Sequence, residues 1–273
     1  MRASRKRAGP DAGHLFVLDE REGGVVVLTF SGHARELLGM DLEEVAPLLA
    51  FFEQKPRCPP KAVVLHAPAS VLAPESMDRI LARHGVPAAR PAETGTPLDA
   101  HDFVREMNVL QRFIAAVRQE EAIVIVTLSG RMVLSLFGPP LACDFRIADK
   151  TFMLTNRMVD YSFMPLGALP WFLTRAVGRV KARELMMKPA EIGVIAAAQL
   201  GLVDRVVPKD HLLDAACELA AELAAHPYGN REALKQTSFV SGVSLEEYRE
   251  KEGELFNRSL ARRPLPGTGN QRT

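Results

Sequence analysis

The sequence predicts an α/β fold with a parallel sheet, and three features of the chain predict it. Lys61 to His66 has the apolar pattern of a buried strand, and helical patterns precede and follow it, which together indicate a β-α-β unit. A helical stripe of apolar residues from Asp102 to Glu120 leads directly into a second apolar strand, Ala122 to Leu128. From Trp171 onwards the pattern is almost entirely helical.

The chain ahead of this unit begins with a predicted β-hairpin. Leu15 to Asp19 and Val25 to Phe30 are rich in strand-forming residues, and Glu20 to Gly24 separates them with two glycines. Asp41 is the predicted N-cap of the next helix, because apolar residues at helical spacing follow it. Pro56 to Pro60 ends that helix before the buried strand begins.

Beyond the second strand the predicted elements are shorter, and helices predominate. The predicted strands are Phe145 to Ala148, Thr151 to Leu154 and Val203 to Val207. The predicted helices are Trp171 to Gly178, Val180 to Met187, Ala190 to Gln199, His211 to Ala225 and Leu245 to Arg262.

Composition excludes several classes of function. The net charge of +1 argues against a nucleic-acid or membrane-surface role, because both need a concentrated basic face. Arg2 to Arg7 could form a basic arm for nucleic acid, but a solvated tail is the favoured interpretation. The three cysteines have neither metal-ligand spacing nor the density of a disulfide framework, and no apolar run has the roughly 20 residues that a membrane helix needs. We therefore expect a cytoplasmic protein without a metal site.

By its pattern alone, the segment from Ser129 to Asp144 is predicted to bind a ligand. It follows a strong strand, and Gly130, Gly138 and the pair Pro139–Pro140 bend the backbone among apolar side chains. The segment is therefore predicted to be a buried, shaped turn that lies against whatever the protein binds.

Several segments resemble the crotonase superfamily, which includes the enoyl-CoA hydratases and isomerases. The match is strongest from Leu173 to Ala225, where LTRAVGRVKARELMM and AAQLGLVDRVVPKDHLLDAACELAAELA are similar to the family's helical segment and its GLV-x-x-VVP turn. GGVVVLTF, KAVVLHAP and Leu141 to Ala148 match as well. The resemblance implies a crotonase-like fold, the ClpP/crotonase β-β-α superhelix, with a helical C-terminal trimerisation region.

The resemblance also implies how the chain is divided. Residues 1–13 and 263–273 are expected to be tails, residues 14–205 the crotonase-like core, and residues 206–262 the trimerisation region. The predicted assembly is a homotrimer or hexamer, with Phe256 placed near a neighbouring subunit's coenzyme A site. Coenzyme A enters only as part of the substrate, so no separate cofactor is expected.

The family binds acyl-CoA thioesters and stabilises the thioester oxyanion with two backbone amides, in what is called an oxyanion hole. Gapless matching places the two donors on Ser76 and Ser135, and neither residue is a proline, so both amides exist. The family has three glycines where this chain has Leu134, Ser135 and Leu136. Residues with a side chain restrict the φ and ψ angles of the backbone and its approach to a ligand more than glycine does. The residues expected to line the substrate pocket are Leu134, Leu136, Gly138 and Met158.

The two glutamates that add water in the hydratases are missing from their expected positions. The first position falls on Gly138, and the second falls on Asn156 or Met158, depending on the direction of counting. Ordinary hydration of an enoyl-CoA is therefore disfavoured, since it needs a pair of acid and base groups.

Other residues are candidates to replace these acids. Asp160 is the preferred lone base, with Tyr161 beside it, and the alternative is that Asp160 is a loop residue bonded to a nearby amide. Glu75 is more simply explained as a charge at a helix N-terminus. His66 and Cys143 are interpreted as packing residues rather than as catalytic groups.

Further residues around the expected acyl site have less specific patterns. Four methionines and the single tryptophan either line a pocket for varied acyl chains or fill the core, and the second interpretation is favoured. They are Met132, Met153, Met158, Met164 and Trp171. Lys235 and Arg35 are candidates to bind the phosphates of coenzyme A.

Two functions remain open on the sequence. The first is a divergent acyl-CoA enzyme, similar to the hydratases and isomerases of fatty acid metabolism, with an oxyanion hole and one relocated acid. The second is a pseudoenzyme of the same fold that serves as a binding or scaffolding subunit.

Overall fold

A computed structural model describes residues 5–7, 15–31, 42–54, 58–67, 73–75, 78, 100–156, 167–226 and 233–235. The main sheet has the strand order β1-β2-β3-β4-β5-β7-β10. Its strands are β1 (Arg5–Arg7), β2 (Phe16–Arg21), β3 (Val25–Phe30), β4 (Ala62–His66), β5 (Ile123–Leu128), β7 (Phe145–Asp149) and β10 (Arg205–Val207). From β3 to β10 neighbouring strands are parallel, whereas β1, β2 and β3 pair antiparallel. The predicted parallel sheet and the predicted hairpin are both present.

A second, smaller sheet has the order β6-β8-β9. Its strands are β6 (Arg131–Val133), β8 (Met153–Asn156) and β9 (Ala190–Gly193). Strand β6 is parallel to β8, and β9 is antiparallel to it. This small sheet carries both the start of the segment from Ser129 to Asp144 and the position of Asn156.

Helices cover both faces of the main sheet. They are α1 (Leu42–Glu53), α2 (Ala100–Gln119), α3 (Gly138–Ala142), α4 (Leu169–Val177), α5 (Arg179–Met187), α6 (Val194–Gln199) and α7 (Leu212–Ala225). On one face, α1, α2 and α3 pack on a core that includes Val63, Leu65 and Val124. On the other face, α7 packs its small residues, Ala216 and Ala220 among them, against the opposite side of the same strands. The central strands are therefore apolar on both faces, as buried parallel strands require.

Two sequence predictions differ from the structure. Arg5–Arg7, which lie in the predicted N-terminal tail, form edge strand β1 and pair with β2. Ala190 to Gln199 is not one helix, because Ala190–Gly193 bonds to β8 as a strand and only the following residues are helical. The helix α7 packs on the core of this chain, and its assignment to a trimerisation region stays a prediction. The predicted helix from Leu245 to Arg262 lies outside the described residues.

Candidate functional site

An apolar cavity of about 80 Å³ lies at the carboxyl ends of the central parallel strands. Phe30, Leu65 and Val126 bring the ends of β3, β4 and β5 to it. The rest of the wall includes Phe113, Ser129, Met132, Pro139, Pro140, Cys143 and Phe152. Ligands of open α/β sheets bind outside this edge of the sheet, so the cavity is the natural candidate for the site.

The segment from Ser129 to Asp144 is buried, as predicted, but it is more regular than a turn. Strand β6 leads into a short 3-10 helix, Leu134–Leu136, and then into α3, which begins at Gly138. Within the 3-10 helix the first bond runs from the Phe137 amide to the Leu134 carbonyl, so the helix does not use the amide of Ser135. Ser135 itself is fully buried.

Gly138, onto which the sequence matching places the family's first glutamate, has no room for a side chain. A Cβ atom built on Gly138 meets the backbone oxygen of Gly167 at 1.7 Å. The obstacle is the backbone of Gly167, which has a φ of +61° and precedes the start of α4. A backbone atom cannot swing away as a side chain could. The acid is therefore not merely replaced at this position; the backbone closes the space that its side chain would need.

Asn156, one of the two candidates for the position of the second glutamate, has a structural role at the end of α5. Its side chain is buried, and its Nδ2 donates to the carbonyl oxygens of Leu185, Met186 and Lys188 at 2.7, 3.1 and 2.7 Å. Carbonyls at a helix C-terminus lack partners within the helix, and Asn156 supplies them for α5. An amide can donate these bonds, whereas a carboxylate cannot.

The far end of the segment is held by a buried ion pair. Lys235 Nζ lies 2.8 Å from Asp144 Oδ2, and their side chains are 3% and 8% exposed. Asp144 also accepts a bond from the amide of Val124, and Lys235 donates to the carbonyl of Ala122. Lys235 is therefore not available to bind the phosphates of coenzyme A, and that prediction was wrong. Arg35 lies outside the described residues.

Ser129 connects the cavity wall to a buried carboxylate that the sequence interpretation missed. The Ser129 hydroxyl donates a short bond to Oδ2 of Asp149, which is fully buried. The other carboxylate oxygen, Oδ1, accepts from the amide and the hydroxyl of Thr151. Asp149 followed by Thr151 two residues later is the pattern of an Asx turn, and this signal was available in the sequence.

His66 and Cys143 behave as packing residues, as predicted. His66 Nδ1 lies 2.9 Å from Thr127 Oγ1, and burial lowers the pKa of His66. Burial also raises the pKa of the Cys143 thiol to about 12, so the thiol is protonated at neutral pH and is not a nucleophile. Cys143 nevertheless lines the cavity with Met132, whereas Trp171 is 41% exposed and stacks with Arg175 at the surface.

The remaining predicted site residues are only partly covered by the structure. Ser76, Met158, Asp160 and Tyr161 lie outside the described residues. Three further predicted pocket residues are buried but do not line the cavity, although neighbours of theirs in the sequence do. They are Leu134, Leu136 and Gly138. Their assignment to the substrate pocket stays a prediction.

Among the described residues, no group of three or more histidine, cysteine, aspartate or glutamate side chains could hold a metal ion. No helix within the same residues is long and apolar enough to cross a membrane.

Comparison with known proteins identifies relatives of this chain. The family model described as enoyl-CoA hydratase/isomerase matches residues 96–263. A probable enoyl-CoA hydratase of Mycobacterium tuberculosis is 31% identical over 163 residues, which cover 58% of this chain and 57% of the relative. A putative enoyl-CoA hydratase of Thermus thermophilus is 28% identical over 57% of this chain and 61% of its own length. The chain thus matches a little over half the length of these curated relatives.

Solved structures match over a longer stretch. A putative enoyl-CoA hydratase/isomerase from Mycobacterium abscessus has a TM-score of 0.74 at 20% identity, covering 91% of this chain and 92% of its own. A putative enoyl-CoA hydratase from Thermobifida fusca, in complex with acetoacetyl-CoA, has a TM-score of 0.71 at 22% identity, covering 91% and 96%. The predicted crotonase-like α/β fold is confirmed.

Proposed function

Because this chain belongs to the enoyl-CoA hydratase/isomerase family, we propose that it binds an acyl-CoA thioester and acts on it through an oxyanion hole. The amides of Ser76 and Ser135 would donate to the thioester oxygen, and one acid or base at a non-standard position would move the proton. Donors fixed in advance contribute about 2.7 to 4 kcal/mol each to a transition state of this kind.

One observation carries this proposal: an apolar cavity lies at the carboxyl edge of the sheet, and its wall is built from the same segment that holds Ser135. Apolar walls such as Phe113, Met132 and Phe152 suit an acyl chain. Ser135 itself is fully buried and is not among the residues that line the cavity, so its amide is proposed as a donor on the family resemblance.

The acid or base is not supplied by residue 138, where the resemblance places the family's first glutamate. Gly138 has no titratable group, and the backbone of Gly167 leaves no room for a side chain there. Nor does Asn156 supply the second, since its amide holds the end of α5. We therefore propose Asp160 as the base, with Tyr161 beside it, on the strength of their place in the sequence. Two single-residue changes test this role. Asp160→Asn or Tyr161→Phe should abolish turnover of any acyl-CoA that the wild type converts, and each variant should still bind that acyl-CoA.

Binding is tested by melting temperature. A ligand that binds only the folded chain stabilises it by about 2.7 kcal/mol at one hundred times its dissociation constant. Acetoacetyl-CoA, the compound in the Thermobifida fusca complex, should raise the melting temperature more than free coenzyme A does. If acetoacetyl-CoA and a panel of other acyl-CoAs all leave the melting temperature unchanged at saturating concentration, the proposal fails.

A second function has its own supporting observation. The closed position at Gly138 also fits a pseudoenzyme that keeps the fold and serves as a binding or scaffolding subunit. Turnover of any acyl thioester that a single change in the cavity abolishes, such as Phe152→Ala, would rule this out.

We also propose, from the family resemblance alone, that the protein is cytoplasmic and assembles as a homotrimer or hexamer through its C-terminal region. Size-exclusion chromatography with light scattering tests the assembly, and a monomer at micromolar concentration would contradict it.

A further inference from the structure

The apolar cavity at the carboxyl edge of the main sheet has a mouth and a floor. Ala67 and Ser129, which follow β4 and β5, are only partly buried, so the mouth lies between the ends of these two strands. Other residues of the wall are almost completely buried: Phe113, Met132 and Phe152 are 9%, 5% and 2% exposed. A chain that enters at the mouth therefore runs toward these three side chains, which form the floor.

The floor is held in place by further buried rings. Phe113, from α2, packs edge-to-face on Phe52 of α1, with the two ring centroids 5.7 Å apart. The ring centroid of Phe152 lies 6.1 Å from that of Phe137. Phe52 and Phe137 are themselves buried, so both ring pairs belong to the packed core. The floor therefore cannot retreat from a longer ligand without disturbing that core.

The volume of the cavity limits what it can hold. The cavity measures about 80 Å³, roughly half the ~150 Å³ of an apolar cavity that accommodates benzene, so it has room for about three carbon atoms. A polar carbonyl group is disfavoured among apolar side chains, so the thioester stays at the mouth and only the carbon chain enters. An acyl group of about four to five carbons then fills the space.

We propose that this cavity restricts the protein to acyl-CoA thioesters of about four to five carbons, and that Phe113 and Met132 set the limit. The inference rests on the proposed function, because it needs the acyl chain in this cavity. It adds the class of acyl group, which is short and apolar. A longer chain would meet the floor while its thioester still lay outside the mouth.

The affinity should therefore depend on chain length in two stages. Each methylene that enters the cavity should raise the affinity about fourfold, because apolar surface is removed from water. Once the chain reaches the floor, a further methylene forces either the floor or the thioester out of place, and such overpacking opposes binding. A chain bound on an open apolar surface would show the first stage without the second.

Calorimetric titration of the full chain with straight-chain acyl-CoAs, from acetyl-CoA to octanoyl-CoA, measures this dependence. The wild type should bind butyryl-CoA or pentanoyl-CoA most tightly. Met132→Ala removes most of a long side chain from the floor, so its optimum should move to acyl groups about two to three carbons longer. Phe113→Leu shortens the floor from a different element and keeps a buried apolar side chain, and its optimum should move in the same direction.

Ile147→Ala is the matched control. Ile147 is fully buried, but it packs in the core beneath α7 on the opposite face of the sheet and does not line the cavity. Melting temperatures should show that its loss destabilises the fold about as much as Met132→Ala does, while the optimum chain length stays that of the wild type. An equal shift of the optimum in Ile147→Ala would assign the change to a loosened core and overturn the proposal.

The remaining outcomes separate this inference from the function on which it rests. If the wild type binds acyl-CoAs with an affinity that keeps rising to octanoyl-CoA, the cavity sets no limit, and the proposed function stands without the inference. The same holds if neither Met132→Ala nor Phe113→Leu moves the optimum. If the wild type binds no member of the series, the proposed function itself fails.

Discussion

The two ends of the segment from Ser129 to Asp144 differ in what holds them. At the far end, Asp144 is bonded to the amide of Val124 and paired with Lys235, and this end still resembles the family in its residues. At the near end, the chain has Leu134, Ser135 and Leu136 where the resemblance implies three glycines, and Gly138 where it implies a glutamate.

This difference indicates that the fold and the reacting groups depend on different parts of the segment. The far end depends on a buried charge pair, and removing Lys235 would leave Asp144 with only the electrostatic attraction of Arg118. The near end depends on volume and backbone path, because Leu134 and Leu136 are buried in the core and Gly138 has no room for a side chain. A chain can therefore keep the fold of this family through one end of the segment while it changes the reacting groups at the other.

Breaking the ion pair should have the largest effect. Lys235→Met removes the nearest cation from the buried Asp144 and leaves only the electrostatic attraction of Arg118, so we expect a loss of about 3 to 4 kcal/mol in the free energy of unfolding. Urea denaturation measures this loss. The double variant Lys235→Met with Asp144→Asn removes both charges and should recover most of it, and a double variant no more stable than the single one would contradict this account of the far end.

Adding a single carbon at the near end should have the next largest effect. Gly138→Ala forces its Cβ against the backbone oxygen of Gly167, and we expect a loss of about 3 kcal/mol. Gly193→Ala is the matched control, because a Cβ there meets nothing within 4 Å, and it should change stability by less than about 0.5 kcal/mol. Equal stabilities of the two variants would mean that the position of the glutamate is open after all.

Placing a carboxylate at Asn156, the second acid position, should destabilise the protein less than Gly138→Ala does. Asn156→Asp cannot donate to the three carbonyls at the end of α5, so we expect a loss of about 1 to 3 kcal/mol at neutral pH. Thermal unfolding gives this value. A variant as stable as the wild type would show that these bonds do not hold the helix end.

The smallest effect concerns pH. Burial lowers the pKa of His66 in the folded chain below its ordinary value of 6.5, so the unfolded chain takes up a proton first as the pH falls. Stability from this group is therefore complete above pH 6.5 and declines below it, until the folded pKa is passed. His66→Gln should flatten this slope between pH 7.5 and 5.5 in melting-temperature scans, and an unchanged slope would assign the decline to other groups.

The sequence predicts the framework well because its signals are local or repeated. The alternation of buried strands such as Lys61 to His66 with amphipathic helices sufficed for the parallel sheet. Ala190–Gly193 was misassigned as helix, since its hydrogen bonds come from β8, and no periodicity within four residues reveals a distant partner. For the same reason, the apolar composition of α7 did not indicate which face of the sheet it would cover.

The candidate site was predicted less completely, because its properties depend on contacts between segments far apart in sequence. The loss of a glutamate at Gly138 is visible in the sequence, but the approach of Gly167 that closes the position is not. The sequence offers Lys235 only as a candidate for the phosphates of coenzyme A, and the fold reveals its buried partner Asp144.

Our central proposal is that this chain binds an acyl-CoA thioester at the site of its family and lacks the two-glutamate hydration chemistry. Mixing the protein in excess with crotonyl-CoA, a 2-enoyl thioester, and following its ultraviolet absorbance tests both halves in one experiment. Binding should perturb the spectrum of the conjugated thioester at once, and the absorbance should then stay constant. Steady formation of 3-hydroxybutyryl-CoA, at a rate proportional to protein concentration and matched by loss of the enoyl absorbance, would contradict the account.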